Sequence, residues 1–327
     1  MMALETADEG SCSAVNARVL VPWKSVSDAL GDLGGLAGGG LTVEVFTGDA
    51  PGPDDLGDVV FFTVPYDHPF SYEPVPRLSG VRVVQTLTAG YDRVAGLLRG
   101  GVTLCTARGL HDSSTAEHAL GLILAAQREL PRWVRAQEAG RWEHAHTRSL
   151  AGSRVLIVGY GSIGSALESR LRACEAETVR VARRARPDEK VSGVADLDGL
   201  LPSADIVVLT TPLTAETRGL LDARRLALLP DGALVVNISR GPVLDTSAIL
   251  AQTASGRLRA ALDVTDPEPL PPGHPLWHSP GTIITPHVAG GAAAFYPKAT
   301  DFLVQQVRSF AAGQPLRNVV TEPISGK

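Results

Sequence analysis

Short runs of β-branched, aromatic and leucine residues recur through the first hundred positions, separated by glycine and proline. They are ARVLVPW (17–23), LTVEVFTG (41–48), DVVFFTV (58–64), VRVVQTL (81–87) and VTLCTA (102–107). The runs are continuous rather than alternating, a pattern that predicts strands buried on both faces of a parallel sheet. GDLGGLAGGG (31–40) reads as a flexible connection, and no internal repeat is present. SSTAEHALGLILAAQREL (113–130) predicts one long helix, opened by an S-x-x-E capping box at Ser114 and Glu117 and ended by Pro131. That helix is apolar nearly all round, so it is expected in the interior or in a subunit interface. After a polar connection, RWEHAHTRSLAG (141–152), the rhythm becomes strictly strand–helix. RVLIVG, TVRVA, ADIVVLTTP, ALVVNISRG, AALDVTD and TIITPHVAG read as strands. SIGSALESRLRAC and TSAILAQTASGRL read as helices among them. Regular βα alternation predicts a doubly wound parallel sheet. The stretch AAFYPKATDFLVQQVRSFAAG reads as a helix that returns to the first domain.

A chain of 327 residues exceeds one ordinary core and is expected to form two domains. With 44% hydrophobic residues and a net charge of −5, it has the balance of a soluble globular protein. The basic residues are scattered, only four being lysine, and no basic stripe interleaves with aromatics, which argues against nucleic acid. No apolar run approaches the roughly 20 residues of a membrane span. The opening MMALETADEGSCSAV is acidic and lacks the basic and apolar regions of a secretory signal. Cys12, Cys105 and Cys174 are odd in number and widely spaced, as expected of free thiols in a reducing cytoplasm. His144 and His146 have the look of a metal pair, but no third ligand accompanies them, so a solvated loop is expected and no metal.

Candidate chemistry begins at VGYGSIG. A lone G-x-G-x-x-G is a weak signal, but here an apolar strand precedes it and a helix follows. Gly159 would make the tight turn, Gly161 would let backbone approach a pyrophosphate, and Gly164 would let helix and strand pack closely. The following strand reads TVRVARRARP, with Ala182, Arg183 and Arg184 where NAD-binding versions place a carboxylate for the ribose 2′-hydroxyl. Loss of that acid removes repulsion against a 2′-phosphate, and guanidinium groups pair with phosphate in a fixed fork. NADP(H) is therefore expected over NAD(H). Further on, Arg240 in NISRGPVLD, Glu268 in LDVTDPEPLPPG and His287 in ITPHVAGG each follow a predicted strand. Strand C-terminal ends converge on the ligand crevice of a doubly wound sheet, so the three can meet. Histidine suits proton exchange, a neighbouring carboxylate would orient it, and an arginine would anchor a carboxylate substrate.

Read in order, TLTAGYD, STAEHALGLILAAQR, VGYGSIG, TTPLTAETRGL, NISRGPVLD, DVTDPEPLP and TPHVAG resemble the D-isomer-specific 2-hydroxyacid dehydrogenases over about residues 80–290. The resemblance implies two doubly wound parallel-sheet domains, with a Rossmann cofactor domain (108–291) inserted in a flavodoxin-like substrate domain (1–107 plus 292–327). It implies that Arg240 binds substrate, Glu268 supports the histidine and His287 is the acid/base. Thr88, Ala89 and Gly90 would offer backbone N–H groups to the substrate carboxylate. Ser162 and Ile163 would lie at the pyrophosphate, and Thr211, Pro212, Ile238 and Asp263 at adenosine or nicotinamide. Tyr160, Ser239, Gly290 and His287 itself complete the expected cofactor contacts. The implied activity is NADPH-dependent reduction of a small 2-oxo acid such as glyoxylate or hydroxypyruvate, by a cytoplasmic homodimer. Formate or phosphite oxidation, and a dinucleotide-sensing module resembling C-terminal binding protein corepressors, are the other activities the family admits. Residues 1–80 match only as a strand–helix rhythm, so a pocket residue there, such as Tyr66, is open.

Overall fold

The computed structural model describes residues 17–31 and 40–321; Cys12, the acidic opening and most of the 31–40 connection lie outside them. The chain divides into two compact units, residues 1–107 with 296–327, and residues 108–295.

The first unit carries β1 (Ala17–Val21), α1 (Lys24–Leu30), β2 (Leu41–Val45), β3 (Val59–Thr63), β4 (Val83–Gln85), α2 (Asp92–Ala95) and β5 (Thr103–Cys105). All five strands are parallel and lie in the order β2-β1-β3-β4-β5, the flavodoxin-like arrangement. Leu20, Phe62, Val84 and Leu104 fill one face together with Leu56, Val75 and Leu78.

The second unit holds α3 (Asp112–Gln127), α4 (Leu130–Glu138), β6 (Arg154–Val158), α5 (Ser162–Ala173), β7 (Glu177–Ala182), β8 (Val191–Gly193), α6 (Leu197–Leu200), β9 (Ile206–Leu209), α7 (Ala223–Ala227), β10 (Leu234–Asn237), α8 (Thr246–Ala254), β11 (Arg259–Leu262) and β12 (Thr282–Ile284). A final helix, α9 (Phe295–Ala311), leads into the C-terminal part of the first unit. The seven strands of the second sheet are all parallel, in the order β12-β11-β10-β9-β6-β7-β8.

Why continuous apolar runs are needed is visible in this sheet. Leu156, Val158, Val207, Leu209, Val235 and Leu262 enter one core, which includes Leu226 of α7 and Ile249 of α8. Their immediate neighbours Val155, Ile157, Ile206, Val208, Leu234 and Val236 enter the opposite core, beneath α3 and α5. Successive strand side chains point to opposite faces, and here both faces are dry.

Three local readings are corrected. α3 starts at Asp112, after His111, and Ser114 lies inside its first turn with its hydroxyl donating to the His111 carbonyl, so the expected capping box is absent. The long helix ends at Gln127, where Glu129 takes φ +52° and breaks the ladder; Pro131 opens α4 rather than ending α3. Proline fits a helix's first turn because no intrahelical bond needs its missing N–H. The short edge strand β8, VSG, was not predicted, since three residues without an apolar run carry no strand signal.

Candidate active site

The glycine turn joins β6 to α5, and its conformation explains each glycine. Gly159 has φ +108°, and a Cβ there would sit 2.6 Å from backbone atoms of Thr210 and Thr211. The chain crosses directly over the end of β9, a passage open only to glycine. At Gly164 a Cβ would come within 3.1 Å of Ile157, so the glycine sets how closely α5 approaches β6. Around Gly161, by contrast, the nearest atom to a Cβ is the Gly159 carbonyl oxygen at 3.9 Å, leaving space in front of the first turn of α5. The hydroxyl of Thr211 beside this turn is buried and has no hydrogen-bond partner, a cost that a ligand hydroxyl or amide removes. An open helix N-terminus and an unsatisfied buried hydroxyl fit a dinucleotide backbone. Ile163 packs partly buried under α3, and the Ser162 hydroxyl donates to Asp112 Oδ1 at 3.1 Å.

Tyr160, between the first two glycines, is held from three sides. Its hydroxyl donates to Glu168 of α5, its ring lies under the Arg180 guanidinium at 5.1 Å, and its carbonyl accepts from Arg186 Nη2 at 3.1 Å. Glu168 is 5% exposed and also accepts from Thr178 and from Arg180 Nε. Burial alone would push its carboxyl up, but these bonds outweigh that and hold it below the usual range. Burial and the Glu168 carboxylate both push the Tyr160 phenol up. Ala182 ends β7, and Arg183 and Arg184 follow it on the surface; the Thr214 hydroxyl, and after it the charge of Arg183, hold the Glu216 carboxyl below its usual range.

At the C-terminal ends of β10, β11 and β12 the other candidate residues appear. Ile238, Ser239 and Arg240 leave β10 in a turn tied by Asn237, whose side chain accepts from Ser239 and donates to the Arg240 carbonyl. Arg240 Nη1 donates to the Ser239 carbonyl at 2.8 Å. A Cβ on Gly241 would fall 1.8 Å from the Thr265 carbonyl oxygen, so the Arg240 turn lies hard against the chain leaving β11, which leads to Glu268. Glu268 Oε1 is 2.7 Å from His287 Nδ1, with the two side chains 28% and 39% exposed. Two residues 19 apart in sequence thus form one partly solvated pair.

Asp263, at the end of β11, organises the loop that presents the histidine. It is 2% exposed, and its carboxylate accepts from Thr285 Oγ1 at 2.6 Å and from the backbone N–H groups of Val288 and Ala289, both at 3.0 Å. Its own carbonyl accepts from the His287 N–H at 2.7 Å. His287 has φ +54°, a left-handed conformation that a side-chain-bearing residue holds only when its neighbours fix it. Burial would push the Asp263 carboxyl up; the bonds from His118, Thr285 and the two N–H groups hold it below the usual carboxylate range. His118 Nε2 lies 3.0 Å from Thr285 Oγ1. Since that hydroxyl gives its proton to Asp263, it accepts from His118, which therefore carries hydrogen on Nε2. Gly290 follows, its carbonyl accepting from His111 Nδ1 at 3.1 Å. The sequence offered no sign of the parts played by His118, Glu168 or Arg186. Thr88, Ala89 and Gly90 lie in the first unit, in the loop after β4, where Thr86 Oγ1 donates to the Thr88 carbonyl and Thr88 Oγ1 to that of Gly90.

Among the described residues, no group of three or more His, Cys, Asp or Glu is placed to hold a metal ion. No described helix is long and apolar enough to cross a membrane.

Comparison with known proteins places these features in company. The family profile "D-isomer specific 2-hydroxyacid dehydrogenase, NAD binding domain" matches residues 120–289. A D-3-phosphoglycerate dehydrogenase of Archaeoglobus fulgidus is 29% identical over 259 residues, which are 77% of this chain but only 49% of that protein. The glyoxylate reductase/hydroxypyruvate reductase of Mus musculus is 32% identical over 234 residues, 68% of this chain and 71% of the mouse chain. Among solved structures, a D-isomer specific 2-hydroxyacid dehydrogenase of Xanthobacter autotrophicus Py2, in complex with NADPH and MES, matches with a TM-score of 0.74. It shares 32% identity and covers 93% of this chain and 98% of its own.

Proposed function

The chain belongs to the D-isomer-specific 2-hydroxyacid dehydrogenase family, and on that premise we propose that it reduces a small 2-oxo acid to the D-2-hydroxy acid with NADPH. The observation that carries this reading is the His287–Glu268 pair, set at a strand end beside Asp263 in the unit that contains the glycine turn.

Glu268 occupies Nδ1 of the imidazole, so the proton that is exchanged with substrate sits on Nε2. A bound nicotinamide dinucleotide supplies the hydride. The Nε2–H of His287 would give its proton to the carbonyl oxygen of the substrate as that oxygen gains charge, and solvent would supply a second proton to the imidazole. The carboxylate of Glu268 stabilises the imidazolium form and fixes the ring plane. Arg240 anchors the substrate carboxylate and draws electron density from the carbonyl. Asp263 holds the backbone from which the imidazole projects, and Gly161, Ser162 and Ile163 offer the pyrophosphate the first turn of α5.

NADPH is preferred in this reading because Ala182 carries no charge and Arg183 and Arg184 stand exposed just after β7. We place the enzyme in the cytoplasm, in keeping with free Cys105 and Cys174. Two copies associate in this reading, covering Leu130, Val134 and the fully exposed Trp142 around α4. A steady-state panel of glyoxylate, hydroxypyruvate, pyruvate, formate and phosphite with both cofactors tests the proposal. Turnover of the 2-oxo acids supports it; turnover of formate or phosphite alone, or cofactor binding without turnover of any, overturns it.

A further inference from the structure

At the end of the seven-stranded sheet opposite His287 and the glycine turn, the N-terminal ends of β6, β9, β10 and β11 border a cleft of about 440 Å³. Arg148 and Arg259 both reach into it, and both donate to one atom, the carbonyl oxygen of Gly232. Arg259 also donates to the Ala126 carbonyl at 3.2 Å and to Gln127 Oε1 at 2.7 Å. Arg148 lies flat on Gly232, where a Cβ would stand 2.5 Å from its Nη2; the glycine, at φ +78°, makes room for the second guanidinium.

Two cations sharing one neutral acceptor repel each other, and such a pair ordinarily has a carboxylate nearby. Asp205 and Asp231 line the same cleft, but neither bonds to Arg148 or Arg259, and each has another partner. Asp205 accepts from the Arg154 N–H at 2.8 Å, Asp231 faces Arg257 at 3.5 Å, and Glu129 pairs with Arg132 at 3.1 Å. Among the described residues the contacts of Arg148 and Arg259 are all to carbonyl or amide oxygens. Burial first, and then the charge of Arg148, push the Arg259 guanidinium down to about 10, against a weaker pull from the Glu129 carboxylate.

We propose that this cleft is a binding site for a small oxyanion, a phosphate or carboxylate group gripped by Arg148 and Arg259. Of five N–H donors, Arg259 gives three to protein acceptors and Arg148 gives one, so both retain hydrogens for a bidentate grip. The bound anion neutralises the like-charge pair and fastens the C-terminal end of α3 to β10 and β11. The site is separate from the dinucleotide turn and does not depend on the activity proposed above.

The test is thermal unfolding of the full chain with saturating NADPH, comparing potassium phosphate, malonate and chloride at equal ionic strength, in wild type, Arg148→Gln and Arg183→Ala/Arg184→Ala. Phosphate or malonate at ten times its Kd is expected to raise the wild-type Tm by about 3 °C over chloride. Arg148→Gln should lose most of that gain, and the double variant should keep it; whichever anion acts identifies the source of the oxyanion. Circular dichroism confirms that Arg148→Gln folds. Equal gains in wild type and Arg148→Gln, or none with either anion, overturn the proposal. So does a halved mass of Arg148→Gln in light scattering, which would mean that a carboxylate of a second copy fills the cleft.

Discussion

Glu268 Oε1 and His287 Nδ1 stand 2.7 Å apart, joining the loop after β11 to the loop after β12. A carboxylate on one imidazole nitrogen fixes which nitrogen faces outward, and a neutral amide of the same shape does this less firmly. Glu268→Gln is expected to lower kcat/KM by about tenfold to a hundredfold, with Glu268→Ala lower still and NADPH affinity nearly unchanged. Steady-state kinetics with a cofactor titration on the same preparations checks both parts. An unchanged kcat/KM in Glu268→Gln would show that the contact is not used in turnover.

Asp263 is a buried anion that ties three backbone and side-chain groups to the histidine loop, so it links stability to pH. Its carboxyl lies below the usual range in the folded chain, so the stability it contributes is present above the unfolded carboxylate pKa and is lost as pH falls through the folded one. Urea unfolding should show wild type losing stability steeply below about pH 4. Asp263→Asn should be less stable by about 2 kcal/mol at pH 7, because the amide cannot accept on both sides, and should fall less steeply in acid. Parallel acid slopes for the two proteins would remove Asp263 from this account.

Cofactor choice rests on the end of β7. Arg183→Ala/Arg184→Ala is expected to lower the NADPH-to-NADH ratio of kcat/KM by at least about tenfold, mainly through the KM for NADPH, since each charge-assisted bond to a phosphate contributes about 1.5–3 kcal/mol. Because Tyr160, Arg180 and Glu168 lock the turn independently of these arginines, the KM for NADH should change little. A ratio that stays constant would shift the choice of cofactor to other residues, with Arg186, already bonded to the Tyr160 carbonyl, the first to replace.

The parallel sheets were legible because each strand needs apolar side chains on both faces: RVLIV and LVVN have no other stable home. The glycine turn was legible for a related reason, since Gly159 and Gly164 answer steric demands that spacing records. Helix boundaries were less so. Proline is compatible with both the end of one helix and the start of the next, and S-x-x-E also occurs inside a helix, where residues three apart share a face. Arg240, Glu268 and His287 were visible at strand ends and through the family resemblance. The supports beneath them were hidden: His118 lies mid-helix, and its bond to Thr285 joins residues 167 apart. Likewise Glu168 looks like any surface acid on α5 until β7 brings Arg180 and Thr178 against it. Side chains that act by holding another in place leave no local pattern.

Replacement of the histidine is the most direct test of the proton transfer at the centre of this account. His287→Gln is to be compared with wild type for NADPH-dependent reduction of the best 2-oxo acid, with cofactor Kd measured by fluorescence on the same samples. The kcat is expected to fall by about a thousandfold or more, within the usual range for loss of a general acid, with cofactor Kd within about threefold of wild type. Turnover that survives within tenfold, or cofactor binding lost together with turnover, would contradict it.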